Sequence, residues 1–170
     1  MIADSFRFHI QFLREPPSTV PALALYRDRL LDFDPADWYV ESGSGALFRA
    51  TLEGGIVSTL ILSPEVGRGI SLVRELCQSI PQPASKRVKR IFSLVSVGNP
   101  TTINEFLLDG DEWIHPVGSY VTPEQAWWAI EDFFAAPMQA SPRLQWIAMD
   151  SLDYPDPHAF MLANRRIPGA

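Results

Sequence analysis

The chain has 170 residues, 46% hydrophobic and 20% charged, which excludes a disordered polypeptide and matches the length of a single domain, 1–170. Its formal net charge of −6 excludes the broad basic footprint that general nucleic-acid binding requires. A lone cysteine, Cys77, excludes an intrachain disulfide and a cysteine-rich metal site, and no apolar run reaches membrane-spanning length. Residues Met1 to Arg7 show no basic region followed by an apolar core, so no signal peptide is expected, and the expected location is the cytoplasm.

In chain order, Ser5 to Leu13 alternates, with Phe6, Phe8, Ile10 and Phe12 on one side and Arg7, His9 and Gln11 on the other. This predicts a strand with one wet face. Pro16 and Pro17 break it. Ser18 or Thr19 is expected to cap a helix running to about Phe33, with Leu23, Tyr26, Leu30 and Phe33 as its apolar stripe. A short strand is expected from Trp38 to Glu41. Ser42 to Gly45 reads as a hairpin loop, since no helix follows to make it a phosphate cradle. Ala46 to Leu52 and Ile56 to Ser63 read as strands around Glu53-Gly54-Gly55, the second apolar enough to lie centrally. Leu72, Val73, Leu76, Cys77 and Ile80 fit helical spacing, which predicts a helix over 70–80 with Cys77 on its buried side. The basic run Lys86 to Arg90 reads as a charged entry to an edge strand, Val88 to Val97.

Asp109-Gly110, between Ile103–Leu108 and Asp111–Ile114, is a hairpin signal. The tip carries Asp109, Asp111 and Glu112 beside Trp113. Thr122, Pro123 and Gln125 form a capping box with proline at the first helical position, and Val121 with Ala126 suits a hydrophobic staple. Ala126, Ile130, Phe133 and Phe134 line one face of that helix, which Pro137 ends. Leu144 to Met149 reads as a buried strand, and 150–170 as an irregular tail. The expected fold class is α+β, a mostly antiparallel curved sheet of seven or eight strands with about three helices packed on it.

The stretch from Gly98 to Met149 resembles the type-one immunity proteins of bacterial polymorphic toxin systems. The features that carry the resemblance are the acidic, glycine-containing turn in FLLDGDEWIHPVGSYV, the VTPEQA cap, the aromatic helix ending in DFF, the proline-containing loop and a strand with central Trp146. It covers about a third of the chain; the first ninety residues match no known pattern. The resemblance implies a small cytoplasmic protein encoded beside a secreted toxin, often a nucleic-acid deaminase or nuclease, which it neutralises by binding.

The residues themselves argue for recognition over catalysis. The three histidines are dispersed, and there is no nucleophile motif, no metal-spaced ligand set and no glycine phosphate loop, so no catalytic residue, metal or cofactor is expected. An acidic inhibitor suits a partner that is basic around its active site, because opposite charge steers association. The candidate contacts are Asp109, Asp111, Glu112 and Trp113 of the hairpin, and Asp150, Asp153, Tyr154 and Asp156 of the tail. Each set joins carboxylates to an aromatic anchor. No direct nucleic-acid or membrane contact is expected. The alternatives are an adaptor domain without a toxin, or an enzyme whose site is assembled from distant residues.

Overall fold

The computed structural model describes residues 6–32, 34, 38, 45–80, 87–109 and 113–164. They form a seven-stranded antiparallel sheet, a separate two-stranded hairpin and three α-helices, so the fold class is α+β with a curved, open sheet. The strands are β1 (Arg7–Phe12), β2 (Ala46–Thr51), β3 (Ile56–Glu65), β4 (Gly69–Ile80), β5 (Arg87–Ser96), β6 (Phe106–Asp109), β7 (Trp113–Pro116), β8 (Tyr120–Val121) and β9 (Trp146–Ala148). The helices are α1 (Leu23–Leu31), α2 (Pro123–Ala135) and α3 (Pro157–Asn164). The sheet runs β1-β2-β3-β4-β5-β9, with β8 pairing to β4; β6 and β7 make the hairpin.

Alternation in β1 and β2 sends Ile10, Phe12, Ala46, Phe48 and Ala50 to one side of the sheet, where α1 and α2 close over them. Helix α2 contributes Ala126, Ala129, Ile130 and Phe133 to that core, and α1 contributes Tyr26 and Leu30. The capping box forms as the sequence predicts. Thr122 Oγ1 accepts from the Gln125 N–H at 3.3 Å, and the Thr122 N–H donates to Gln125 Oε1 at 3.0 Å.

Several expectations are corrected. Residues 70–80 are strand β4, not a helix, and Cys77 is half-buried, not enclosed. The reason is tertiary: β4 is sandwiched, with Ile70 and Leu72 in the helix-covered core and Val73 in a second cluster on the opposite side. Two buried sides remove the polar–apolar alternation by which an isolated strand announces itself. Helix α1 starts later than expected, after Ala22, which makes no side-chain cap; Ser18 instead bridges to Ile10 and folds its hydroxyl onto Val20. Trp38 has helical backbone and is buried against Phe12 at 5.7 Å, not at the start of a strand. Tyr39 to Glu41 and most of the glycine-rich loop lie outside the described residues. Ile103 follows a short 3₁₀ turn, Pro100–Thr102, and is buried; the hairpin strand begins only at Phe106. The tail 150–170 is not wholly irregular, because 3₁₀ turn Met149–Ser151 and helix α3 occupy part of it.

Two glycines let the chain segments meet. Gly69 has φ +115, and a Cβ there would sit 2.3 Å from the Val121 carbonyl oxygen; a Cβ at Gly98 would sit 1.9 Å from that of Tyr120. At this crossing β4 changes partner. Its Ile70 and Ser71 pair with β8, while Val73 onward pairs with β5. Ser96 fills the gap between ladders. Its hydroxyl accepts from the Leu72 N–H at 3.0 Å and donates to the Ser119 carbonyl at 2.6 Å, while the Ser71 and Ser119 hydroxyls meet at 2.7 Å. These buried hydroxyls satisfy backbone groups that the split would orphan, and they tie the segment following β7 to the sheet.

Candidate functional site: an acidic layer of hairpin and tail

The second cluster consists of Val95, Val97, Ile103 and Leu152, with Val73, Phe106, Ile147, Met149 and Tyr154 packed against it. It joins the two stretches that the sequence offered as separate contacts. The Phe106 ring of β6 lies 4.8 Å from that of Tyr154, and the Asp153 N–H donates to Asn104 Oδ1 at 3.2 Å. At the same open end of the hairpin, Gly98 and Asn99 N–H groups both donate to the Gly118 carbonyl at 2.9 Å, and the Val117 N–H to that of Glu105 at 2.7 Å. Hairpin and tail are therefore one layer on one side of the sheet.

The acidic residues of this layer face outward because its apolar residues are spent on the cluster. Glu105, Asp150, Asp153 and Asp156 are exposed. Asp109 closes β6 opposite Trp113, about 10 Å along the strand from Phe106. Trp113 is 69% exposed, a large apolar surface left in water beside that strand end. The register that pairs Asp109 with Trp113 places Asp109 in β6, which differs from the expected two-residue turn at Asp109-Gly110; Gly110 lies outside the described residues. Asp111 and Glu112 lie outside the described residues.

Tyr154 and Asp156 are not free contact groups. The Tyr154 ring is half-buried and its hydroxyl is enclosed, so it fastens the tail instead of projecting as an anchor. Asp156 Oδ1 accepts from the Ala159 N–H at 2.8 Å, which makes it the N-cap of α3 ahead of Pro157. The Asp-Pro step was the available signal for that helix. Asn104 and Phe106, which hold the two parts together, carried no signal of their own, because their partners lie some fifty positions away in the chain.

Burial pushes the Tyr154 hydroxyl up from its ordinary value to about 12. Because the folded chain holds this proton more tightly than the unfolded one, its contribution is intact below pH 10 and is lost as pH rises from 10 toward 12. In an ultraviolet titration of tyrosinate, Tyr154 should ionise late, near 12, and Tyr154→Phe should remove its share of the late phase. If the substitution leaves the late amplitude unchanged, the Tyr154 hydroxyl is not held back by burial.

A concavity of about 480 Å³ lies elsewhere, between the β3–β4 turn and the start of α2, lined by Glu65, Arg68, Tyr120, Thr122 and Gln125 among others. Of its helix-terminal groups, the Thr122 and Gln125 N–H are taken by the capping box, and Pro123 has no N–H to offer. Among the described residues, no three His, Cys, Asp or Glu side chains converge as metal ligands do, and no helix is long and apolar enough to cross a membrane. Comparison with known protein families, with curated proteins and with solved structures finds no match to this chain.

Proposed function

We propose that the chain is an immunity protein that binds and neutralises a cognate bacterial toxin through the acidic layer of hairpin and tail. The observation that carries this reading is that the hairpin bearing Asp109 and Trp113 and the tail bearing Asp150 and Asp153 belong to a single layer, held by Phe106–Tyr154 and Asn104–Asp153. Exposed carboxylates, Asp150 and Asp153, on the same layer as the exposed Trp113 suit a basic protein surface. The charges speed the encounter, and the indole supplies desolvated area once contact is made. A toxin acting on nucleic acid presents such a basic cleft, and the resemblance of Gly98 to Met149 to the type-one immunity proteins points to the same class of partner. The toxin is expected to be encoded next to this chain.

Co-expression tests the reading directly: cells producing the neighbouring toxin should survive only when this chain is present. With the purified pair, Asp150→Lys together with Asp153→Lys should slow association roughly 10-fold at low salt and flatten its salt dependence. Trp113→Ala should leave the association rate nearly unchanged and speed dissociation, at a cost of about 2 kcal/mol or more. Protection that persists with unchanged rates in both variants removes the layer from the interface; absence of protection by the parent chain removes the function.

A further inference from the structure

The layer of hairpin and tail covers only part of its side of the sheet. One register row crosses from open to covered ground: Leu47 on β2 pairs with Ile61 on β3, which pairs with Val73, then Val95 and Ile147. Val73, Val95 and Ile147 lie under the layer, whereas Leu47 and Ile61 are half-buried and belong to neither core cluster. The next row on the same side runs His9, Arg49, Thr59, Glu75, Ser93 across five strands. Arg7, His9 and Arg49 are exposed at the open end, within a patch of about 7 by 5 Å set by strand geometry. Glu75 is paired with Arg90 at 3.5 Å; among the described residues neither Arg7 nor Arg49 has an acidic partner.

The molecule is thus a step. A basic floor with an aliphatic strip lies beside a raised acidic wall of about one layer, roughly 10 Å. We infer that the floor is covered by a second copy of this chain in a two-fold dimer, the wall of each copy standing on the floor of the other. The two-fold operation brings Arg7, His9 and Arg49 of one copy toward Asp150 and Asp153 of its partner, and does so twice, as an isologous interface requires. It also buries Leu47 and Ile61, which neither core reaches. Floor and wall match in charge and in height, and this chain carries both. The dimer does not depend on the toxin reading. Where both hold, self-association and toxin binding compete for the same acidic layer.

Sedimentation velocity of the full chain, from low micromolar to near-millimolar concentration, tests this at low and high salt. The expected result is a concentration-dependent dimer that salt weakens. Arg49→Glu should raise the dimer dissociation constant at least about 10-fold, with an unchanged circular dichroism spectrum, and Arg7→Glu should act in the same direction. Combining Arg49→Glu with Asp153→Arg in one chain should restore most of the loss. A chain that is monomeric throughout overturns the proposal, as does a dimer indifferent to Arg49→Glu or a loss that the double variant fails to rescue. A monomer that binds polyglutamate or single-stranded nucleic acid through Arg49 assigns the floor to an outside partner, which also overturns it.

Discussion

Phe48→Ala should lower the free energy of unfolding by about 3–5 kcal/mol. Phe48 is fully buried in the middle of β2, between Ala46 and Ala50, whose small side chains leave space for its ring. That ring meets Phe12 at 6.1 Å, Tyr26 at 5.3 Å, Phe133 at 6.4 Å and Phe134 at 5.5 Å, so it joins β1, α1 and α2 in one contact set. The four aromatic neighbours cannot collapse into the void, because they are held on three different elements, and the cavity cost adds to the lost transfer energy. The midpoint of thermal unfolding should fall by roughly 6–20 °C for a chain of this size. Leu31→Ala, at a position 42% exposed, is the control and should change stability by less than about 0.5 kcal/mol. Equal losses in the two variants would mean that the helices do not close over β2.

Arg74→Ala should cost a similar amount, about 3–5 kcal/mol, for a different reason. Arg74 is 1% exposed and points into the helix-covered core from β4, and among the described residues no carboxylate pairs with it. Carbonyl oxygens solvate it instead. Nη1 donates to Thr59 at 2.9 Å and to Glu75 at 3.1 Å, Nη2 donates to Pro137, and the guanidinium stands 4.9 Å from the Phe133 ring centre. Pro137 also accepts from the Ser58 hydroxyl, so Arg74 and Ser58 together fasten the chain leaving α2 onto the sheet. Removing the side chain leaves both a cavity and unsatisfied carbonyls. Arg74→Met should recover about half of the loss, since it fills the volume and removes a desolvated charge.

Burial lowers the Arg74 pKa from its ordinary value to about 10, so unfolding takes up a proton in the interval above pH 10. Stability from this group therefore rises across that interval, opposite in sign to Tyr154, and Arg74→Met should abolish the rise. A variant as stable as the parent would show that the guanidinium is not enclosed.

The loop beyond Pro137 has a second fastening. Arg143 grips Asp132 with Nη2 at 2.6 Å and Nε at 3.0 Å, reaches Glu131 at 2.7 Å, and lies over the Trp128 ring at 5.9 Å. Burial raises the Asp132 carboxyl, but the bonds from Arg143 and Ser141 and the guanidinium charge outweigh it and hold the pKa below its usual value. The clamp sits on the exposed side of α2, away from the acidic layer.

Local chemistry made much of this protein legible. Thr122, Pro123 and Gln125 specify the start of α2 by themselves, because a capping box is satisfied within four residues. The alternation of β1 and the apolar run of β3 likewise announce their faces, and the α+β class follows. Of the eight residues that the sequence offered as contacts, Trp113, Asp150 and Asp153 are exposed without a role in holding the fold through their side chains. Other features were not local. Strand β4 read as a helix because both its sides are buried and an arginine occupies one inward position, held by carbonyls on β3 and beyond α2. Whether a charged residue points inward depends on which dipoles surround it, and those come from elsewhere in the chain. The same holds for the union of hairpin and tail through Phe106 and Tyr154, and for the uncovered floor beside them. Each is set by how layers stack on the sheet, a choice that spacing along the chain does not encode.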